Sequence, residues 1–445
     1  MKRIVILGSG ESGTGAAILA KQLGFEVFVS DKSPIKTTFK AELDAAGIAW
    51  EEGQHSLEHI LNAHEIVKSP GIPEKTEVMK AVRAKGIPVI GEIELAWRHT
   101  GKATIVAITG SNGKTTTTNL VYHLLRHAGL QVRMAGNVGY SFARYVAEDL
   151  KTKTTHPNLI YVLEVSSFQL DDIQQFRPHI ALLLNITPDH LDRYEYQLGH
   201  YIQSKFRIAL NQKRGDLFIT NGDDPNIQRY LRENPKAVHC KMEQVRQRDL
   251  RSGYVHLGRT LAFDLANTNL KGPHNAFNAA CAIRTALRLG VNDETIMEAL
   301  FTFNPPPHRL EKVAVRDGVT WINDSKATNV DSVYYALQAM EGPTIWIVGG
   351  QDKGNDYAPL LELVRHKVKA IVCMGLDNSK IINYFGALGK PMVETHSAEA
   401  AVQQAKTFAE PDDTVLLSPA CASFDLFKNY EHRGDLFREA VLNHE

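Results

Sequence analysis

The run Gly110-Ser111-Asn112-Gly113-Lys114-Thr115-Thr116 has the residue types that hold a polyphosphate. Glycines let successive amides converge on an anion, Lys114 brings a point charge for β- and γ-phosphates, and the Thr115 hydroxyl can ligate Mg²⁺. The run follows the apolar stretch Thr104–Ile108 and leads into a helical pattern through Leu120, Leu124 and Leu125. That strand-loop-helix context is the one in which such a loop works. It departs from the general P-loop consensus, because Ile108 stands at the first glycine position and Gly110 comes two residues late.

Other polar groups follow apolar runs in the same way. Gly8-Ser9-Gly10-Glu11-Ser12-Gly13 after Arg3–Leu7 reads as a Rossmann-like nucleotide cradle, and Asp31, at the end of the next strand, can bond a ribose hydroxyl or a base edge. By itself this loop suits a nicotinamide enzyme equally well, or a plain tight turn. Glu164 ends the strand Leu159–Leu163, where a carboxylate beside a P-loop can hold the metal, or simply be solvated. His190 lies in the loop Asn185–Tyr194, as a metal ligand or an ordinary loop histidine. Asn275 and Asn278 open a helix and share one face, so they can read an adenine or meet phosphates; helix capping by Asn275 competes. Farther on come Arg309, the loops Asp324–Asn329 and Gly349–Gly354, the segment Ser418–Asp425, and Tyr430. Arg309, Lys326 and Lys353 are either solvated surface charges or ligand contacts, and their place on strand-exit loops favours the latter.

Positioning these groups requires strands whose exits line up. β-Branched runs alternate with helical patterns from end to end, which predicts an α/β protein with parallel sheets covered on both faces. Breaks at Arg98–Lys102 and at Asn304-Pro305-Pro306-Pro307-His308 divide the chain into 1–98, 99–307 and 308–445. A length of 445 residues fits that count, at about 100–200 residues per domain.

The 50 Lys+Arg and 50 Asp+Glu cancel, so no general cationic field holds this chain to nucleic acid or membrane, and partners must be recognised locally. Cys240, Cys281, Cys373 and Cys421 form no C-x-x-C pair, which removes zinc-ribbon and disulfide scaffolds. No apolar run approaches the ~20 residues that span a bilayer, and Ile4–Leu7 is too short for a signal-peptide core. The expectation is a cytoplasmic, soluble protein without nucleic-acid or membrane partners.

The combination Thr109–Thr116, Leu163–Leu170, His190-Leu191-Asp192-Arg193-Tyr194, His274-Asn275-x-x-Asn278 and Asn323–Asn329 resembles the Mur ligases, over residues 4 to about 437. Ser69-Pro70-Gly71, the run Ser166–Leu170 and the segment Ser418–Asp425 are most similar to the branch that adds D-glutamate to UDP-N-acetylmuramoyl-L-alanine. The resemblance implies three domains: a Rossmann-like N-terminal one for the UDP substrate, a central P-loop one for ATP, and a Rossmann-like C-terminal one for the amino acid. It implies a cytoplasmic enzyme of peptidoglycan precursor synthesis, using ATP and two Mg²⁺ ions and acting as a monomer.

By the same resemblance, Gly10, Glu11, Ser12, Asp31, Lys32, Ser33, Gly71 and Asn137 serve the UDP substrate. Gly110 to Thr116, Asn275, Asn278, Arg309 and Asp324 serve ATP, with Lys114 also catalytic. Thr115, Glu164, His190 and Lys205 serve the metal, the last three also counting as catalytic, and Lys326, Thr328, Lys353, Ser423 and Tyr430 serve the D-glutamate. Tyr430 stands where the family pattern has Phe. Lys205, by itself a solvated helix lysine, takes the position of a lysine carbamylated by CO₂, which would give Mg²⁺ two hard oxygens. The chemistry implied is an acyl phosphate made from the substrate carboxylate and ATP, then attacked by the glutamate amine, with domain closure excluding water. Rivals are a Mur-type or folylpolyglutamate-type ligase of other specificity, a P-loop switch that makes no amide, and a nicotinamide oxidoreductase, which has no use for Gly113-Lys114-Thr115.

Overall fold

A computed structural model describes residues 2–152, 158–258 and 261–443. It divides into two compact units, Met1–Asn267 with Phe277–Phe303, and Thr268–Ala276 with Asn304–Glu445. The first unit holds two fully parallel sheets. The five-stranded one runs in the order Ala49–Glu52, Glu26–Asp31, Arg3–Leu7, Glu65–Lys68, Val89–Gly91. Arg3–Leu7 is its central strand, and Ile4 to Leu7 are all buried because helices cover both faces. Strand order reverses on either side of it, so the Gly8 loop, Asp31 and Ser69-Pro70-Gly71 leave neighbouring strands at one edge.

The six-stranded sheet runs Lys241–Val245, Leu217–Asn221, Ile180–Leu183, Thr104–Thr109, Ile160–Glu164, Val132–Gly136. Thr104–Thr109 lies between Ile180–Leu183 and Ile160–Glu164, so the phosphate-type loop, Asn185 and Glu164 also share a switch point. The two sheets are locked by a common core. Helix Glu11–Gln22 packs against helix Phe142–Lys151, and the side chains Ala16, Ala17, Phe142, Ala143 and Val146 are buried there. Arg98, expected in a linker, is instead tied by its guanidinium to Glu65, Glu94 and Gln174. A small antiparallel meander, Leu250–Arg251, Tyr254–Leu257 and Leu261–Asp264, was not legible as such in the sequence.

The second unit has one six-stranded sheet, ordered Glu311–Arg316, Val319–Asn323, Thr414–Ala420, Thr344–Gly349, Val368–Met374, Met392–Thr395. The expectation of parallel pairing holds for five of these strands, but Glu311–Arg316 is antiparallel to Val319–Asn323. The intervening Asp317-Gly318 turn, with both residues at positive φ, makes a hairpin where a crossover helix would otherwise be needed. Among the described residues, no helix is long and apolar enough to cross a membrane.

Candidate active site

Helix Lys114–His127 begins directly after Gly113, whose φ of 82° lies in the left-handed region. A Cβ there would also come within 2.6 Å of Asn278 Oδ1, so the Asn278 amide abuts the loop. The loop is pinned from the neighbouring strand exit. Asn112 N donates to Asn185 Oδ1 at 2.8 Å, Asn185 Nδ2 donates to Asn112 O at 3.0 Å, and Ser111 N donates to Asn185 O at 3.0 Å. Ser111 Oγ meets the Thr187 backbone and the Tyr201 hydroxyl. Lys114 Nζ donates to Gly110 O and Ser111 O, both at 2.8 Å. Thr115 and Thr116 occupy the first turn, where amides free of intrahelical partners attract anions. The shape and donors fit a nucleotide polyphosphate.

Glu164 is buried. Its Oε1 accepts from Asn137 Nδ2 at 2.9 Å, while Oε2 has no hydrogen-bond partner. An orphaned buried carboxylate oxygen beside a phosphate-type loop fits a divalent cation. Lys205, in helix Leu198–Phe206, is not solvated: it is 1% exposed and its Nζ donates to Gly110 O at 2.7 Å. Burial, and next the Lys114 ammonium, push its pKa well below that of an ordinary lysine, against the pull of Asp189, Asp171 and Glu164. His190 is exposed, at φ 52°, with its ring edge-on to Phe168 at 5.2 Å. Among the described residues, no group of three or more His, Cys, Asp or Glu could hold a metal ion. Two of the four expected ligands, Thr115 and Lys205, are of other types.

At the first sheet's edge, Gly13 is required by close approach: a Cβ would come within 1.9 Å of Gly8 O. Asp31 closes the loop itself, its Oδ2 accepting from Ser9 N and Ser9 Oγ at 2.7 Å and its Oδ1 from Ser33 N at 2.8 Å. Gly10, Lys32, Ser33 and Gly71 are exposed and Ser12 half-buried. Glu11 is engaged elsewhere. Its carboxylate accepts from Arg144 Nε at 2.8 Å and from Ser141 N at 2.9 Å. Burial opposes ionisation, but these bonds outweigh it and lower the pKa. What remains for a ligand is the Glu11 amide at the helix start. The segment around His190 has a role that spacing did not reveal: Arg193 stacks over Phe168 at 4.5 Å and donates to Pro70 O at 3.0 Å and Gly71 O at 3.2 Å. It thereby fastens Ser69-Pro70-Gly71 to the central sheet.

Helix Pro273–Arg288, whose residues to Ala276 belong to the second unit, starts before Asn275, which therefore lies in the first turn and not at the cap, its Nδ2 donating to Lys271 O at 2.9 Å. Asn275 belongs to this unit and Asn278 to the first. Asp324 is buried, accepting from Ser418 Oγ at 2.9 Å and Leu310 N at 3.2 Å. Burial pushes its carboxyl up to about 7, against the pull of Ser418, Leu310 and Arg309. His274, which the motif only framed, is pushed down to about 4 by burial and by Arg309, and its Nδ1 is buried without a hydrogen bond. Lys326 Nζ sits 3.5 Å from the Tyr430 ring centroid, a cation–π contact that an aromatic ring of either kind at 430 supplies. Ser423 is buried, Arg309 and Thr328 half-buried, and Lys353 exposed. Asp324 and the Gly350–Lys353 loop leave their strands on either side of Ser418, which lies near the end of the strand between them, because Thr414–Ala420 lies between Val319–Asn323 and Thr344–Gly349.

Three α/β sheets, with a phosphate-type loop at the central switch point, define a nucleotide-dependent enzyme of multidomain α/β type. The Mur ligase MurD-like N-terminal domain model matches residues 2–91, the Mur ligase middle domain 108–286, and the Mur ligase glutamate ligase domain 308–421. The chain is 49% identical to the UDP-N-acetylmuramoylalanine–D-glutamate ligase of Christiangramia forsetii, and 49% identical to that of Bacteroides fragilis, covering 99% of each chain in both cases. Among solved structures, the UDP-N-acetylmuramate–alanine ligase of Thermotoga maritima aligns with TM-score 0.62 and 18% identity, covering 100% of both chains. The MurF ligase of the same organism in complex with ADP aligns with TM-score 0.60 and 16% identity, covering 94% of this chain and 95% of that one. The chain belongs to the Mur ligase family.

Proposed function

We propose that the chain is an ATP-dependent ligase that joins D-glutamate to UDP-N-acetylmuramoyl-L-alanine, releasing ADP and phosphate, in the cytoplasmic synthesis of peptidoglycan precursors. The observation that carries the reading is the pinned Gly110–Thr116 loop, with Lys114 on its carbonyls, Asn278 against Gly113 and the orphaned Glu164 carboxylate at the same sheet edge. Near 49% identity over 99% of the chain to ligases of that name supports the choice of substrates. Residues 1–98 take the UDP moiety, 99–307 ATP, and 308–445 the amino acid, in a monomer.

Loop amides, Lys114 and Thr116 hold the β- and γ-phosphates, with Asn275, Asn278, Arg309 and Asp324 around the rest of the nucleotide. Gly10, Ser12, the Glu11 amide, Lys32, Ser33, Gly71 and Asn137 orient the UDP substrate so that its L-alanine carboxylate faces the γ-phosphate. A carboxylate oxygen attacks the γ-phosphorus, the bond to the ADP oxygen breaks, and Lys114 offsets the charge that builds on the phosphoryl group. Lys326, Thr328, Lys353, Ser423 and Tyr430 hold D-glutamate. Its neutral amine attacks the acyl phosphate, and phosphate leaves in place of the oxide that an unactivated carboxylate would have to expel. Thr115, Glu164, His190 and carbamylated Lys205 would hold two Mg²⁺, which when bound supply Lewis-acid neutralisation of phosphoryl charge. The low pKa of Lys205 suits the carbamate, since only the neutral amine attacks CO₂, forming N–CO₂⁻ and releasing a proton.

The test is phosphate release with a panel of UDP-muramoyl precursors and amino acids. The proposal expects turnover with UDP-N-acetylmuramoyl-L-alanine and D-glutamate together. Turnover with another amino acid, or with a folate in place of the UDP-muramoyl substrate, points to the sister ligases, and hydrolysis without any amino acid to a P-loop switch.

A further inference from the structure

Arg433 has no task in the scheme above. It lies in helix Tyr430–Asn443 and is fully buried. Its Nε donates to Ser325 Oγ at 3.0 Å, its Nη2 to Ser325 O at 2.8 Å, and Nη1 and Nη2 both to Cys421 O at 3.3 Å. Ser325 Oγ passes the contact on, donating to Tyr430 O at 2.8 Å. A Cβ on Gly350 would come within 3.2 Å of Nη1. One guanidinium thus bonds the loop bearing Lys326 and the segment bearing Ser423, lies against the Gly350 end of the loop bearing Lys353, and reaches the turn bearing Tyr430 through Ser325; these are the segments assigned to the incoming amino acid.

The second observation is electrical. Arg433 forms no ion pair with the described residues. Asp425 acts on it without a direct bond: its Oδ2 accepts from the Leu376 amide at 3.1 Å, and its Oδ1 is buried without a hydrogen bond. A buried cation held only by neutral oxygens is costly unless an anion completes it. Burial accordingly lowers its pKa to about 10, which still leaves it charged at neutral pH.

We propose that Arg433 is a positioning and specificity residue for the amino-acid substrate: it fixes the four segments in one arrangement and supplies the buried positive field that favours a dicarboxylate over a monocarboxylate. The inference rests on the D-glutamate ligase reading, and wild-type turnover checks that reading separately: without D-glutamate-dependent phosphate release the reading itself fails, whatever Arg433 does. Given that turnover, R433M should raise the KM for D-glutamate about tenfold or more while leaving those for ATP and the UDP substrate within about twofold, and should lower the kcat/KM preference for D-glutamate over D-glutamine about fivefold. R433K keeps the charge but not the fork of donors, so it should retain most of the preference while still raising the D-glutamate KM. An unchanged preference in R433M, or a parallel rise in all three KM values, would overturn the proposal. If R433M loses its near-UV circular dichroism, R433K decides: a raised D-glutamate KM with preference kept supports the proposal, and any other result contradicts it.

Discussion

Lys205 Nζ and Lys114 Nζ donate to the same oxygen, the Gly110 carbonyl, at 2.7 and 2.8 Å. Burial first, and then repulsion from the Lys114 ammonium on the same acceptor, hold the Lys205 pKa well below that of an ordinary lysine. One of them is therefore poised to exist as a neutral amine, the form that CO₂ modifies.

A sample equilibrated with ¹³CO₂ should show a carbamate carbonyl signal that is missing in Lys205→Met. In the unmodified protein that substitution removes a buried amine whose charged form is costly, so the thermal midpoint at pH 7 should be unchanged or raised, while turnover falls about a hundredfold or more. Full activity in the variant, or no carbamate signal in the wild type, would remove Lys205 from the metal site.

Glu92 predicts a pH dependence of stability. It is buried, Oε1 accepts from Ala143 N, Oε2 is unpartnered, and burial pushes its pKa up to about 7 from 4.5. The folded state thus holds a proton that the unfolded state releases between pH 4.5 and 7. This group's contribution is complete below its unfolded pKa and is lost as pH rises through about 7. Glu92→Gln keeps an acceptor for Ala143 without the charge. At about 1.4 kcal/mol per pKa unit it should be more stable than wild type at pH 8 by up to about 3 kcal/mol, with little difference at pH 4. Urea unfolding at the two pH values reads this, and equal curves at pH 8 would contradict it.

Gly113→Ala meets both a left-handed φ and the Asn278 amide. Positive φ alone costs about 1–2 kcal/mol for an L-residue, and the displaced Asn278 adds to it. The KM for ATP should rise about tenfold or more, with the fold intact by circular dichroism. An unchanged ATP KM would show that this loop does not hold the nucleotide.

Strand exits were legible because buried parallel strands leave continuous apolar runs: Arg3–Leu7 and Thr104–Thr109 fall where those runs predict. The polar groups after them were legible as ligand-type clusters for the same reason. What spacing could not carry were contacts between segments distant in sequence. Glu11 reads as a nucleotide contact until Arg144 is seen to hold it, and Lys205 reads as solvated until its helix is seen to turn it onto Gly110. Arg193 and Arg433 gave no periodic signal, because each acts by donating to backbone carbonyls of another loop.

Arg193 should act on one substrate only. It holds Pro70 O and Gly71 O from across the sheet junction. Arg193→Ala should raise the KM for the UDP substrate about tenfold, the loss of about 1.4 kcal/mol that two such bonds and a ring contact readily account for. The KM for ATP should stay within about twofold. Equal increases in both would mean that Arg193 supports the whole unit and not the Ser69-Pro70-Gly71 segment.

In the proposed mechanism ATP activates the substrate carboxylate as an acyl phosphate before D-glutamate attacks. UDP-N-acetylmuramoyl-L-alanine labelled with ¹⁸O in its terminal carboxylate, turned over with ATP and D-glutamate, tests it by mass spectrometry of the released phosphate. An acyl phosphate intermediate gives one ¹⁸O per phosphate, formed together with the amide product. Unlabelled phosphate, or amide formed with both labelled oxygens retained outside phosphate, would contradict it.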